Sequence, residues 1–236
     1  MDSHRFDLPV AVTLRLHARS GKIDVVAEPR EDVLVEGERF DSESTDGGAS
    51  LEVRSGHGGS KSLSVRCPVG TDIVVGTQGG SVRMSGDFGS VSVTTMSGDI
   101  ELDTSDEADL RTGSGTITLR GCRERCGLNS MSGGINAGEV AAVAAGTMSG
   151  SITIDHASGK LKARSVSGSI TARLDGDDKI TVKTVSGRVR LSLPEGTALA
   201  TRFKTISGKV RNPFPAGTDC YLEAMTISGT IELVSG

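Results

Sequence analysis

Acidic residues crowd one short stretch of the chain, and carboxylates are the groups that a polysaccharide-active β-helix enzyme would need. The stretch contains Asp99, Glu101, Asp103, Asp106, Glu107 and Asp109. Such chemistry takes two or three carboxylates that converge on one bond, often with a basic partner. When the internal repeats of the sequence are aligned, however, Asp99 falls beside Ser81 and Thr116. Because no aligned column collects acids, we interpret the stretch as a solvated face and keep the enzyme as a remote alternative.

The remaining chemistry-bearing residues are also dispersed. The four histidines (His4, His17, His57 and His156) have no neighbouring serine, cysteine or acid in a catalytic arrangement. The acidic segment 175–178 lacks the regular ligand spacing of a calcium loop, so a polar turn is the simpler interpretation. The sequence therefore predicts no catalytic, cofactor-binding or metal-binding residues, and no cofactor.

Four cysteines, Cys67, Cys122, Cys126 and Cys220, are too few and too irregular for a disulfide framework. Cys122 and Cys126 form a CxxxC rather than the CxxC pairs of a zinc site. We expect structural thiols, with a disulfide or a metal pair at Cys122 and Cys126 as the alternative.

A four-residue signature, Thr or Ser, then Met, Val or Ile, then Ser-Gly, recurs along the chain and defines its architecture. It occurs at residues 95–98, 130–133, 147–150, 165–168, 184–187, 205–208 and 226–229, with a degenerate copy at 112–115 and a first member at 77–80. The steps between copies are 17 to 21 residues. A fixed period of this size is typical of stacked, near-identical coils.

Each period contains two alternating apolar and polar runs, which is the pattern of β-strands. The segments between copies are too short for crossover helices, so equivalent strands must stack in parallel. The sequence thus predicts an all-β fold, a parallel β-solenoid (β-helix) of about nine coils of 17–21 residues. We expect the signature glycines to serve corners that need a positive φ, which glycine adopts without steric cost.

The two ends of the solenoid need separate consideration. Residues 1–66 lack the signature and suggest antiparallel strands joined by polar loops at 41–49 and 56–60, so we predict an N-terminal β cap at 1–66 and a solenoid domain at 67–236. The last copy, at 226–229, is followed by one more strand that contains Ile231. We expect that strand to have a free edge, which is self-capped by the insertion Asn212-Pro213-Phe214-Pro215, tolerated, or paired with another chain.

These residues resemble the bacterial "putative adhesin" family, a domain-of-unknown-function group of β-solenoids. The resemblance rests on Phe6-Asp7-Leu8-Pro9-Val10, on Ser20-Gly21-Lys22-Ile23-Asp24-Val25, on Pro68-Val69-Gly70-Thr71 and on the repeated Ser-Gly coils. It covers nearly the whole chain and implies a non-enzymatic bacterial domain without catalytic residues.

The composition of the chain limits the cellular locations and the binding partners that we expect. The chain begins without an apolar signal core and has no run of about 20 apolar residues that could span a bilayer, so we expect a cytoplasmic protein, with peripheral attachment to a membrane as the alternative. There is no Trp, one Tyr and five Phe. Single-stranded nucleic-acid sites stack bases on aromatic side chains, so no specific nucleic-acid partner is predicted.

Basic residues concentrate in the later repeats. Residues 157–211 contain 12 Lys and Arg against 4 Asp and Glu, whereas residues 1–156 contain 14 against 23. The candidate basic face consists of Lys162, Arg164, Lys183, Arg188, Arg190, Arg202, Lys204, Lys209 and Arg211. Such a face is either simply solvated or meets an anionic lipid, a phosphate-rich polymer, nucleic acid, or the acidic half of another copy.

The second position of the signature is the most specific candidate for a binding site. Strict alternation from Ile180 and Val182 places Thr184 inside and Val185 outside. The equivalent residues are Met96, Met131, Met148, Val166, Val185, Ile206 and Ile227. They form an exposed apolar ladder unless a bulge at the corner rotates them inward.

Together these observations predict a non-catalytic interaction or scaffold protein that displays ladders of side chains to a protein partner or an anionic surface. The alternative is a scaffold that assembles with itself, end to end, through open coil edges.

Overall fold

In the computed structural model, residues 2–7, 12–45, 50–55, 62–175 and 179–236 are described. Every regular element among them is a strand, and the fold class is the predicted all-β parallel solenoid of about nine coils with antiparallel strands at its N-terminal end. Parts of the predicted polar loops (46–49 and 56–60) and of the acidic turn (176–178) lie outside the described residues. So do residues 8–11, which include part of the opening segment.

The chain divides into two compact units, Met1–Leu119 and Arg120–Gly236. Unit 1 contains the strands β1 (Asp2–Asp7), β2 (Thr13–Ser20), β3 (Ile23–Glu28), β4 (Asp32–Gly37), β5 (Phe40–Thr45), β6 (Ser50–Ser55), β7 (Leu63–Pro68), β8 (Asp72–Gly79), β9 (Val82–Ser97) and β10 (Ile100–Ser114). The boundary between the units falls within β11 (Ile117–Ser132). Unit 2 continues with β12 (Ile135–Ser149), β13 (Ile152–Ala157), β14 (Leu161–Ser167), β15 (Ile170–Leu174), β16 (Ile180–Ser186), β17 (Val189–Leu193), β18 (Leu199–Arg211) and β19 (Cys220–Ser235).

Unit 1 combines parallel coils with antiparallel covering strands. The coil β2–β3 lies between the coil β6–β7 and the coil β8–β9, and all of these pairings are parallel. Antiparallel strands then cover the outer coil, with β5 on β6, β4 on β7 and β1 on β4. The antiparallel strands predicted at this end are therefore present, but four strands of residues 1–66 belong to the parallel stack. The predicted boundary at residue 66 stays a prediction.

Unit 2 is a parallel stack in which the chain order and the spatial order differ. The coil that contains β16 and β17 pairs with β19, and Cys220–Glu232 of β19 in turn pairs with the length of β18. The last strand of the chain is therefore inserted between two earlier coils. The expectation that this strand has a free edge was wrong for Cys220–Glu232, because β18 is the outer strand there and Ile231 is fully buried.

Inward-facing side chains of successive coils stack into aliphatic columns. One column of unit 2 runs through Ile152, Ile170, Val189 and Ile231, and all four side chains are fully buried. Burial of a large aliphatic side chain contributes about 1.5–3 kcal/mol. The column ends at Val210 of β18, which pairs with Ile231 but is 38% exposed. The aliphatic column is therefore fully buried in the inner coils and partly exposed at its outer end, on β18.

The signature glycines are required by close contact rather than by their backbone angles. A Cβ atom at Gly150 would collide with the carbonyl oxygen of Gly133, and one at Gly229 would collide with that of Gly187. Gly98 has the same relation to Gly80 in unit 1. Among the described signature glycines only Gly168 and Gly187 have a positive φ, 155° and 156°. The prediction that corners need a positive φ was therefore wrong for most copies.

The close contact predicts that alanine is poorly tolerated at a signature glycine. Gly150→Ala should lower the free energy of unfolding by about 2–3 kcal/mol, because the added methyl group meets backbone that cannot move away. Gly146→Ala is the matched control in the same coil, since its methyl group would meet only the side-chain oxygen of Asn129 at 3.0 Å. Its effect should stay below about 1 kcal/mol. Equal losses in denaturant unfolding of the two variants would contradict the steric explanation.

Insertion of β19 predicts that its two isoleucines respond differently to the same substitution. Ile231→Lys places a charge in the buried column and should destabilise the chain by more than about 4 kcal/mol. Ile227→Lys changes a half-exposed side chain of the same strand and should cost less than about 1 kcal/mol. The measurement is the denaturant midpoint of each variant. If Ile231→Lys left the midpoint unchanged, β19 would not be an inner strand.

Candidate functional site: an apolar ladder beside basic rows

The corner signature is held in place from inside the stack. In unit 2 the Thr147 hydroxyl donates to the carbonyl oxygen of Gly133 at 3.3 Å, and the Ser165 hydroxyl donates to that of Gly150 at 3.5 Å. In unit 1 Thr112 makes the equivalent bond to Gly98 at 3.1 Å. The first signature position therefore faces inward, as the sequence predicts, and its hydroxyl links one coil to the next in these copies. Among the described residues, the buried hydroxyls of Thr184, Thr205 and Thr226 have no hydrogen-bond partner. Because strand residues alternate in direction, the next residue must face outward.

The outward residues of unit 2 form a continuous apolar ladder. In spatial order its members are Met131, Met148, Val166, Val185, Ile227 and Ile206, which we call the apolar ladder. Their exposed fractions run from 42% at Val185 to 77% at Ile206. Neighbouring members sit on adjacent paired strands, about 4.8 Å apart. Of the two orientations that the sequence left open, the structure shows the outward one.

Among the described residues of unit 1, one exposed apolar side chain occupies the second signature position. Met96, the second residue of its signature, is 68% exposed. The degenerate copy that follows has Gly113 at this position and adds no apolar side chain.

Three cations lie along one side of the apolar ladder, with Met225 of β19 between the last two of them. Arg164, Lys183 and Lys204 each precede a ladder residue by two positions, so they face outward on the same strands. Arg164 and Lys183 are direct register partners on β14 and β16. Lys162 and Arg202, which also belong to the predicted basic face, extend the cationic surface two residues further along their strands.

A second group of cations lies on the other side of the corner. It consists of Arg188, Arg190, Lys209 and Arg211, all of which are exposed. They follow the ladder residues Val185 and Ile206 by three and five positions. The structure thus brings the two predicted candidate sites of unit 2 together, with apolar side chains along the corner and basic residues on both sides.

Two carboxylates interrupt the basic face, and sequence reasoning missed them. Glu223 Oε1 lies 3.6 Å from Lys183 Nζ, and Glu232 lies 4.0 Å from Arg190 and 3.8 Å from Arg211. Both acids belong to β19, which the chain order places beyond the basic coils and the structure places between them. The only signal for this placement in the sequence was that the last repeats are longer than the others. The added length allows segment 212–219 to carry the chain back to a position between β16 and β18.

The acidic stretch of unit 1 is engaged in structural contacts rather than in a catalytic arrangement. Asp99 Oδ1 accepts a hydrogen bond from the Thr116 amide at 2.8 Å, and Asp103 accepts one from the Gly86 amide at 3.2 Å. Glu101 forms an ion pair with Arg83 at 2.7 Å. These carboxylates join successive coils. In the described part of the chain, no group of three or more His, Cys, Asp or Glu residues is arranged to hold a metal ion.

The four cysteines are buried thiols. Burial raises the pKa of the Cys67 thiol to about 11. Cys126 donates to the carbonyl oxygen of Ala142 at 3.2 Å, and its hydrogen bond with Cys122, together with burial, raises its pKa. A thiol with a raised pKa is a poor nucleophile and a poor metal ligand. These cysteines therefore have the environment of structural residues.

This architecture is a β-solenoid in which successive coils repeat one surface position. The family model of Toastrack DUF4097 matches residues 40–224, and the chain belongs to that family. No curated protein matches the sequence. No helix long and apolar enough to cross a membrane is found among the residues that the structure describes.

Solved structures show distant similarity over almost the whole chain. A putative adhesin from Bacteroides fragilis is 13% identical, with a TM-score of 0.43, and the match covers 99% of this chain and 96% of that one. A putative adhesin from Parabacteroides distasonis is 11% identical with the same TM-score and coverage. A putative lipid binding protein from Parabacteroides distasonis is 10% identical, with a TM-score of 0.40 and the same coverage. Similarities of this size do not identify a ligand for this chain.

Proposed function

We propose that the chain is a non-catalytic interaction protein whose unit 2 binds an anionic, apolar surface along the apolar ladder. The observation that carries the proposal is the continuous row of six exposed apolar side chains, which has cations on both sides at Val185 and Ile206. The surface that matches it is the headgroup region of a bilayer rich in anionic lipid. A protein partner for the same face is the other outcome of the test below.

The energetics favour a surface that contacts many coils at once. Complete burial of one large aliphatic side chain is worth about 1.5–3 kcal/mol, and the ladder residues are only half-exposed, so each contributes a fraction of that. A Lys or Arg near an anionic membrane contributes about 1 kcal/mol. One coil alone binds the surface only weakly, but the contributions of adjacent coils add. The apolar ladder is an extended ridge, and a deformable surface such as a bilayer can contact all of its coils at once.

Glu223 and Glu232 limit where the attraction acts. Glu223 is paired with Lys183, and Glu232 with Arg190 and Arg211, so part of the positive charge of the basic face is neutralised within unit 2. The expected cytoplasmic location and the absence of catalysis remain predictions that accompany this proposal.

Binding to vesicles tests the proposal. The chain should sediment with vesicles rich in phosphatidylglycerol and not with vesicles of phosphatidylcholine alone, and added salt should weaken the binding because it screens surface charges. The triple variant Met148→Ser, Val166→Ser and Val185→Ser should lose most of the binding. A separate variant with Arg164→Glu and Lys183→Glu should lose it as well.

The matched control removes exposed apolar side chains away from the ladder. Val69 and Tyr221 are 51% and 39% exposed, and Val69→Ser with Tyr221→Ser should bind as the unmodified chain does. Two results would overturn the proposal: no binding to anionic vesicles, or binding that the ladder variant leaves intact. The first result would direct attention to a protein partner for the same ladder.

A self-assembling scaffold is the second candidate function, and a specific observation favours it. The strand β18 pairs on one side with β19, and in the described part of the chain its other side pairs with nothing beyond a single bridge from Leu199 to Ala216.

A further inference from the structure

The outer edge of β18 is a long strand with its backbone available for pairing. The 13-residue strand pairs in parallel with β19, and all eleven residues from Thr201 onward are exposed or half-exposed. The segment that follows contributes the buried Phe214, whose amide donates to Asn212. Among the described residues, its only β-bridge to β18 joins Ala216 to Leu199. An edge of this length readily accepts another strand.

The charges of the edge define what kind of strand it accepts. Arg202, Lys204, Lys209 and Arg211 all face outward from β18 and are exposed. The strand that already covers its other side is acidic at two outward positions, with Glu232 lying 3.8 Å from Arg211. Within the same stack, Glu223 of β19 also pairs with Lys183 of β16. Basic strands in this unit are therefore neighbours of an acidic strand, and the next strand beyond β18 should be acidic too.

Unit 1 has an acidic edge strand of matching spacing. The six-residue β5 pairs antiparallel with β6, and among the described residues it has no other strand partner. Asp41 and Glu43 are both exposed on it and are two residues apart, as Arg202 and Lys204 are on β18. Side chains two residues apart face the same way in a strand. When β5 and β18 lie side by side, each acid can therefore face one cation in either strand direction.

We propose that β5 of one copy adds to β18 of a second copy, so that the chain assembles head to tail. Backbone hydrogen bonds between the two edges supply affinity, and the pairing of Asp41 and Glu43 with Arg202 and Lys204 selects the partner edge. Pairing of two β18 edges would set cations against cations, and pairing of two β5 edges would set acids against acids. The contact is heterologous, so it produces open chains or closed rings rather than a symmetric dimer.

The solution mass of the lipid-free chain tests this proposal independently of membrane binding. Light scattering after size exclusion should show the 24.3 kDa chain at low concentration and growing mass as the concentration rises, with less growth at high salt. Arg202→Glu with Lys204→Glu on β18 should weaken association at least about tenfold, because the edges then repel. Asp41→Lys with Glu43→Lys on β5 should do the same.

Mixing the two charge-reversed variants tests whether the loss of association comes from repulsion between the edges or from unfolding of the variants. The reversed β5 of one variant then faces the reversed β18 of the other, and the two unmodified edges also match, so growth should return. Lys162→Glu with Arg164→Glu makes the same charge change on β14, whose two edges are already paired, and should leave association unchanged.

Three results would overturn the proposal. One is a constant mass of 24.3 kDa at all concentrations. Another is growth that the edge variants do not reduce. The third is growth that is lost in the ladder variant with Met148→Ser, Val166→Ser and Val185→Ser, because that result would assign self-association to the apolar ladder.

Discussion

The close approach of successive coils at the signature corner is the constraint on which the rest of each unit depends. At Gly150, and at its equivalents, the neighbouring backbone leaves no room for a Cβ atom. At Thr112 and Thr147 the same approach brings the hydroxyl of the first signature residue within bonding distance of the glycine carbonyl of an adjacent coil. The signature glycine contacts the backbone of the adjacent coil, and the first signature residue faces inward. The second signature residue must therefore lie on the surface. The apolar ladder is therefore a consequence of how the backbone is stacked.

On such a surface the ladder position is repeated from coil to coil, whereas the residues on either side of it vary. The ladder position is occupied by Met in the earlier copies and by Val or Ile in the later ones. The flanking positions are acidic after Met96 (Asp99 and Glu101), uncharged beside Met131 and Met148, and basic beside Val185 and Ile206. The stacking does not constrain the side chains at those outward positions, so charge can vary there without cost to the fold. That freedom explains how one architecture carries acidic contacts in unit 1 and basic rows in unit 2.

Much of this could be predicted from the sequence because it follows from periodicity. The alternation that places Ile152 and Ile170 inside and the signature that repeats every 17 to 21 residues together define the parallel solenoid. The orientation of Val185 was harder to predict, since a bulge at the corner would have reversed it. The exchange of positions between β18 and β19 could not be predicted, because both strands have the same pattern and either one can stack on β16. The contacts of Glu223 and Glu232, and the identity of the free edge, depend on that exchange.

The exposure of the ladder is the central claim, and methionine oxidation measures it directly. Hydrogen peroxide treatment of the native chain, followed by peptide mass spectrometry, compares methionines at signature positions with one in the core. Met96, Met131 and Met148 should oxidise nearly as fast as in the unfolded chain, whereas Met84, which is 1% exposed, should oxidise only after unfolding. If Met131 and Met148 were protected to the same degree as Met84, the ladder would face inward and the proposed binding surface would not exist.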